Sequence, residues 1–288
     1  MIQILPKWQG LRLLLTTFFT LFALCFISLQ NECRAEWTVV PTSMHQLYET
    51  YGLFVDEQST LIWTGSSKFW GALGGTIPLY GNPESETHPE IVLHASANAA
   101  MHINEGNRIW TETVDARVGF SYEFEPYKDL RFSLGWAHYS GHAADGILDS
   151  ELISPDMGDN LLRLRVIRDY QNTFRFGCTL KPFLFSQPQM VTFASDQFAE
   201  WFPWGASRSA SHASPFVALS FEEYGVDHLT LSFHVQAGAY FGNHFRSELA
   251  QSLRPVIGYY RGLDPRLKYA SFQNSHSQFA YFGVMLDL

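Results

Sequence analysis

Residues 136–145 read Trp-Ala-His-Tyr-Ser-Gly-His-Ala-Ala-Asp and carry the side chains in this sequence best suited to chemistry. His138 and Ser140 are two apart, so an extended strand puts them on one face about 6.7 Å apart at Cα. Their side chains can close that gap to the ~2.6–3.2 Å that proton transfer needs. A serine beside an imidazole is the pair used in acyl transfer, with Ser140 as nucleophile and His138 as general base. A third group, Asn160 or Asp145, would orient the ring, and His142 extends the same motif. The plainer alternative makes the histidines polar rim residues, Ser140 a filler and Asp145 an ordinary turn residue. His138 and His142 stand ~13 Å apart along a strand, too far to share one ion, so no metal is expected. No phosphate loop, G-x-S-x-G elbow, H-E-x-x-H helix or dinucleotide fingerprint occurs, and no cofactor is expected.

Strands must position these residues. Hydrophobic residues make up 46% of the chain and charged residues 16%, yet the mean hydropathy is only -0.07, so apolar and polar residues are interleaved. In 114–125, Val114, Ala116, Val118, Phe120, Tyr122 and Phe124 alternate with Asp115, Arg117, Gly119, Ser121, Glu123 and Glu125. The same period of two runs through 174–181 and 229–241. Such runs exceed the ~5–6 residues of an average soluble strand. They match the ~9–11 needed to cross a bilayer at a tilt. A soluble sandwich would turn its apolar faces inward and use shorter strands.

The expectation is an all-β chain, a single antiparallel transmembrane barrel of twelve strands with ten as the alternative. The strands are predicted at 53–64, 68–80, 91–103, 112–125, 130–143, 160–170, 174–186, 215–223, 228–241, 254–262, 266–274 and 278–288. Short turns at 126–129, 171–173, 224–227 and 263–265 alternate with longer joins at 144–159, 187–214 and 242–253, predicting short periplasmic and long external connections. The aromatic segment 187–214, with Phe193, Phe198, Trp201, Phe202 and Trp204, is read as an external loop, either a plug or an interfacial rest. In 132–142, Phe132, Leu134, Trp136, His138, Ser140 and His142 share a face that parity turns outward with Leu162, Leu164, Val166 and Asn160.

The run His138, Ser140, His142 and Asp145 resembles the His-x-Ser-Ser-His-x-x-Asp run of an outer-membrane family catalogued as domain of unknown function 1207. Gly141 stands where that family has a second Ser, and Gly146 where it has Glu. Weaker similarity runs from about Gly71 to the C-terminus, including 258–265 and the closing strand. The resemblance implies a barrel fold and an outer-membrane location, with no activity attached. The His-x-Ser pair is also similar to outer-membrane acyl hydrolases, although their phospholipase members continue with Asn-Gly where this chain has Gly141-His142. The last strand, with Ala280, Phe282, Val284, Leu286 and Leu288 on one face, resembles the signal read by the barrel assembly machinery.

At the other end, the apolar run 13–29 follows Lys7 and Arg12 and precedes Cys33-Arg34-Ala35, the layout of a secretory signal. The predicted organisation is a signal peptide at 1–35, a periplasmic segment at 36–52 and a barrel at 53–288; an uncleaved anchor helix is the alternative. Loss of 1–35 removes Lys7, Arg12 and Arg34 against Glu32 and takes the net charge from -9 to -11, which argues against a nucleic-acid partner. It also leaves Cys178 alone, so no internal disulfide can form.

Three functions fit an outer-membrane barrel. One is a structural, adhesive or otherwise unassigned barrel. Another is a narrow pore for small solutes, with Asp115, Arg117, Glu123, Arg163, Arg165, Arg175 and Lys181 facing the lumen. The third is an acyl hydrolase working on outer-leaflet phospholipid or lipopolysaccharide. Processing after Ala35 is expected, and intact mass of the protein recovered from outer-membrane fractions measures it. A mass that retains residues 1–35 refutes the signal peptide.

Overall fold

A computed structural model describes residues 59–65, 67–82, 85, 87–103, 108–144, 156–171, 173–187, 192–204, 213–225, 229–241, 252–263 and 276–287. The predicted signal peptide, the segment 36–52 and the start of the first predicted strand lie outside these residues. The described strands are β1 (Ser59–Trp63), β2 (Lys68–Gly81), β3 (Glu90–Ile103), β4 (Ile109–Tyr127), β5 (Leu130–Ala143) and β6 (Asp156–Tyr170). They continue with β7 (Phe174–Gln187), β8 (Phe193–Trp201), β9 (Ala213–Gly225), β10 (Leu229–Phe241), β11 (Ser252–Leu263) and β12 (His276–Asp287). Each pairs antiparallel with its sequence neighbours, and β1 pairs with β12 to close a twelve-stranded barrel.

Period-two alternation sets both surfaces. Along β4, Arg117 and Ser121 are buried while Val114, Val118 and Phe120 are exposed. Around the ring Leu73, Ile77, Phe176, Leu231, Ile257 and Phe282 are exposed as well, so the outward surface is apolar and the charges point in. Aromatic rings gather near one rim, where Tyr80, Tyr127, Tyr170, Phe174, Trp201 and Trp204 are exposed and Phe174 stacks on Trp201 at 6.5 Å.

Inside, the wall divides in two. From β2 to β9 it carries ion pairs: Arg131 Nη1 to Glu123 Oε2 at 3.2 Å, Arg175 Nε to Asp169 Oδ1 at 2.6 Å, and Lys181 Nζ to Asp196. From β9 round to β1 it carries Phe216, Val256, Tyr281, Met285 and Ile62, joined by Phe202 from the end of β8. Rings lie flat over inward glycines of the neighbouring strand. A Cβ on Gly177 would stand 2.1 Å from Phe198, and one on Gly258 would stand 2.3 Å from Tyr281, so only glycine admits these rings.

Three sequence expectations need correction. The segment 187–214 is no simple loop, because β8 lies within it. Its inward face mixes Ala194, Asp196, Phe198 and Glu200, and its outward face includes Ser195 and Gln197, so hydrophobicity does not alternate although the backbone does. The count of twelve is thus reached with β8, while the predicted strand 266–274 lies outside the described residues. The added strand also reverses every later connection. If the end of β5 marks the upper rim, β9 ends and β10 begins at that rim, whereas β8 ends and β9 begins, and β10 ends and β11 begins, at the lower rim with 128–129. Short and long joins therefore do not sort by side.

Closure depends on one short seam. Among the described residues, pairing between β1 and β12 runs from Ser59↔Leu286 to Trp63↔Phe282. Deletion of 282–288 removes that seam and leaves the edges of β1 and β11 open. Loss of the heat-modifiable folded band on electrophoresis is the expected result, and a normally assembled truncation refutes the seam.

Candidate functional site

The motif sits in the β5–β6 hairpin, whose register pairs Trp136↔Leu162, His138↔Asn160, Ser140↔Gly158 and His142↔Asp156. On β5 the odd positions Arg131, Ala137 and Tyr139 are buried. Phe132, Leu134, Trp136, His138, Ser140 and His142 therefore point outward, as parity predicts. The hairpin is tightly coiled below the motif, where Gly119 and Gly135 leave room for facing backbone: a Cβ on either would meet a carbonyl oxygen at 2.5 Å.

His138 Nδ1 lies 3.2 Å from Asn160 Oδ1. The carboxamide oxygen accepts, so Nδ1 carries the hydrogen and Nε2 keeps a free lone pair. The Trp136 ring stacks on the imidazole at 6.4 Å with 21° between planes, and Phe120 packs on Trp136 at 5.7 Å. The ring is held by a hydrogen bond at its edge and an indole on its face, and Ser140 follows on the other side along the strand. Among the described residues Ser140 makes no hydrogen bond to His138; such contacts often form only when substrate binds. Of the two residues considered for orienting the ring, Asn160 is the one in contact, and Asp145 lies outside the described residues. His142 is exposed one step nearer the upper rim.

Two other serine groups escaped the sequence reading. In the lumen, His94 Nε2 lies 2.6 Å from Ser121 Oγ, and Ser121 donates to Glu123 Oε1 at 3.1 Å. That carboxylate sits on the serine and on Arg131 rather than orienting the ring, and His94 and Ser121 are 5% and 2% exposed. It is a buried structural network, formed by residues on facing strands that no linear motif connects. On the outward surface, Gln197 Nε2 donates to Ser195 Oγ at 2.8 Å and Ser195 to Glu223 Oε2 at 3.4 Å, without an imidazole. Among the described residues no group of three or more His, Cys, Asp or Glu could hold a metal ion.

Several of the lumen charges that could have lined a pore have partners within the barrel wall. Arg117 donates to the Tyr139 hydroxyl at 2.7 Å, Arg165 to Thr179 at 3.0 Å, and Lys181 reaches both Asp196 and Glu222, the latter at 3.7 Å. Lys181 and Asp196 are each 2% exposed. Comparison with protein-family models, curated proteins and solved structures finds no match to this chain.

Removing one partner of a buried pair strands the other charge, at a cost of about 3–5 kcal/mol. Lys181→Ala should lower the unfolding free energy from urea titration by that much, with a lower midpoint, and Lys181→Ala combined with Asp196→Ala should recover part of it. An unchanged midpoint in the single variant means the pair is not needed to hold the interior.

Proposed function

We propose that this chain is an integral β-barrel of a Gram-negative outer membrane and that its outward-facing His138, Ser140 and Asn160 hydrolyse acyl esters of outer-leaflet lipid. The hydrogen bond between His138 Nδ1 and Asn160 Oδ1 carries this reading. It turns the Nδ1 edge to Asn160 and leaves Nε2 as the nitrogen that takes the Ser140 proton once the ring turns toward the serine as substrate binds. Membrane insertion draws support from the exposed apolar surface, the closed sheet without free edges and the aromatic rim. Kinship with the domain of unknown function 1207 family belongs to the same proposal.

In the reaction, Ser140 Oγ attacks the ester carbonyl as His138 Nε2 takes the hydroxyl proton. The tetrahedral intermediate collapses, the C–O bond to the lipid alcohol breaks, and His138 returns the proton to that alcohol. Water, deprotonated by the same imidazole, then attacks the acyl-serine and releases a fatty acid. Asn160 keeps the imidazole turned throughout and stabilises the imidazolium through its carbonyl oxygen. A location on the outer surface suits this substrate, since an acyl chain lying in the bilayer reaches the nucleophile without leaving lipid.

The filled, ion-paired interior favours this reading over a solute channel. Purified, refolded barrel assayed on phospholipid vesicles and on lipopolysaccharide should release fatty acid. Ser140→Ala should abolish this release, and His138→Ala should lower it by roughly 10²–10⁴-fold, while both variants remain heat-modifiable. Release that persists in Ser140→Ala, or none from the wild type, sinks the hydrolase; stepwise single-channel currents would restore the pore.

A further inference from the structure

We infer that the gap over Gly158 is the seat of the lipid ester group, a binding site for an acyl ester walled by Ser140 on one strand and Gln187 on the next. The inference rests on the acyl-hydrolase reading and adds where the substrate lies.

The register supplies the geometry. Gly158 on β6 is opposite Ser140 on β5 and opposite Gln187 on β7. One row below, His138, Asn160 and Phe185 run across the same three strands. Because Asn160 bonds the outward His138, Gly158 two residues earlier faces outward as well. A Cβ built on Gly158 meets no heavy atom within 4 Å among the described residues. The glycines with a neighbour inside 3.0 Å, such as Gly119, Gly177 and Gly258, face the interior, whereas Gly158 faces outward with nothing over it among the described residues.

Two strand spacings separate Ser140 from Gln187, so the gap is ~10 Å wide at Cα, enough for an ester but not for a folded partner. Its walls differ in chemistry. Ser140 and the imidazole stand on one side, where the carbonyl carbon must lie for attack. Gln187, exposed at the end of β7, offers a donor and an acceptor on the other, suited to the glycerol and headgroup oxygens. Beneath the row, the exposed Phe185 and Leu184 give the acyl chain an apolar wall. The substrate class that fits is a long-chain glycerolipid ester, headgroup toward the upper rim and chain along β6 and β7.

The test fills the gap without touching the catalytic pair. Valine suits a strand facing lipid, so Gly158→Val should assemble. Its hydrolysis of long-chain phospholipid should fall about 100-fold, the scale of a misplaced reacting group, and hydrolysis of p-nitrophenyl acetate, whose ester needs the same seat, should fall with it. Gln187→Leu should raise KM for the phospholipid and leave kcat unchanged. Should the valine variant not give a heat-modifiable band, Gly158→Ala takes its place with a smaller loss in the same direction. Undiminished hydrolysis of either ester in the filled variant overturns the seat. A wild type without Ser140-dependent hydrolysis fails earlier, at the hydrolase reading, and takes the seat with it.

Discussion

Closure of the sheet is the constraint on which everything else in this barrel depends. Once β12 pairs with both β11 and β1, no strand edge is left to be satisfied, and backbone hydrogen bonding makes no further demand on the side chains. The period of two then assigns each residue to one of two surfaces. Charges such as Arg175, Lys181 and Glu200 turn inward, where they need partners, and most large apolar residues turn outward, apart from those on the ring-filled side around Phe216 and Ile62. This inverts a soluble domain. Its stability comes from paired backbone, interior ion pairs and one interior apolar cluster, and the ion pairs hold only while both members are present.

The interior meets that demand in two ways. On the side of β3 to β8, Arg131, Arg175 and Lys181 each meet an acid on a neighbouring strand, so these pairs tie strands together at right angles to the backbone ladder. On the other side rings fill the space, and inward glycines set their depth: Tyr281 lies over Gly258 and reaches His234 and Gln236 through its hydroxyl. The ring gains van der Waals contact with its face, and its polar tip is bonded, which is the condition for burying a tyrosine without penalty.

What the sequence revealed follows from how uniform each strand's two faces are. On β5 the outward positions Phe132, Leu134 and Trp136 are all large and apolar, so the direction of His138 and Ser140 could be read by parity alone. Asn160 could be reached by parity with symmetric pairing across a longer join, and it stands opposite His138 in the register. On β8 both faces are mixed, with Phe198 inward among acids and Gln197 outward, and the strand was read as loop. That one omission reversed the side of every later join. Gly158 gave no signal either, since a glycine in a strand means close approach or empty space, and only the facing residues distinguish them.

The outward polar residues on β5 and β6 have a further implication. A hydroxyl or amide in hydrocarbon without a partner costs roughly 2–7 kcal/mol, so polar groups on a lipid-facing wall must be bonded or lie where water reaches them. Asn160 and His138 answer each other, which lowers the cost for two of the three. Ser140 has no such bond to His138, and its strand ends at Ala143, three residues on. In the proposed outer-membrane setting, that combination would place the hydroxyl at the level of the headgroups, where interfacial water would satisfy it. It is also the level of an ester linkage in a lipid, between the wet headgroup and the dry chain. The depth that makes the serine tolerable on an outward face is therefore the depth at which it could do acyl chemistry, and Trp136, stacked below the imidazole, marks where the apolar wall begins.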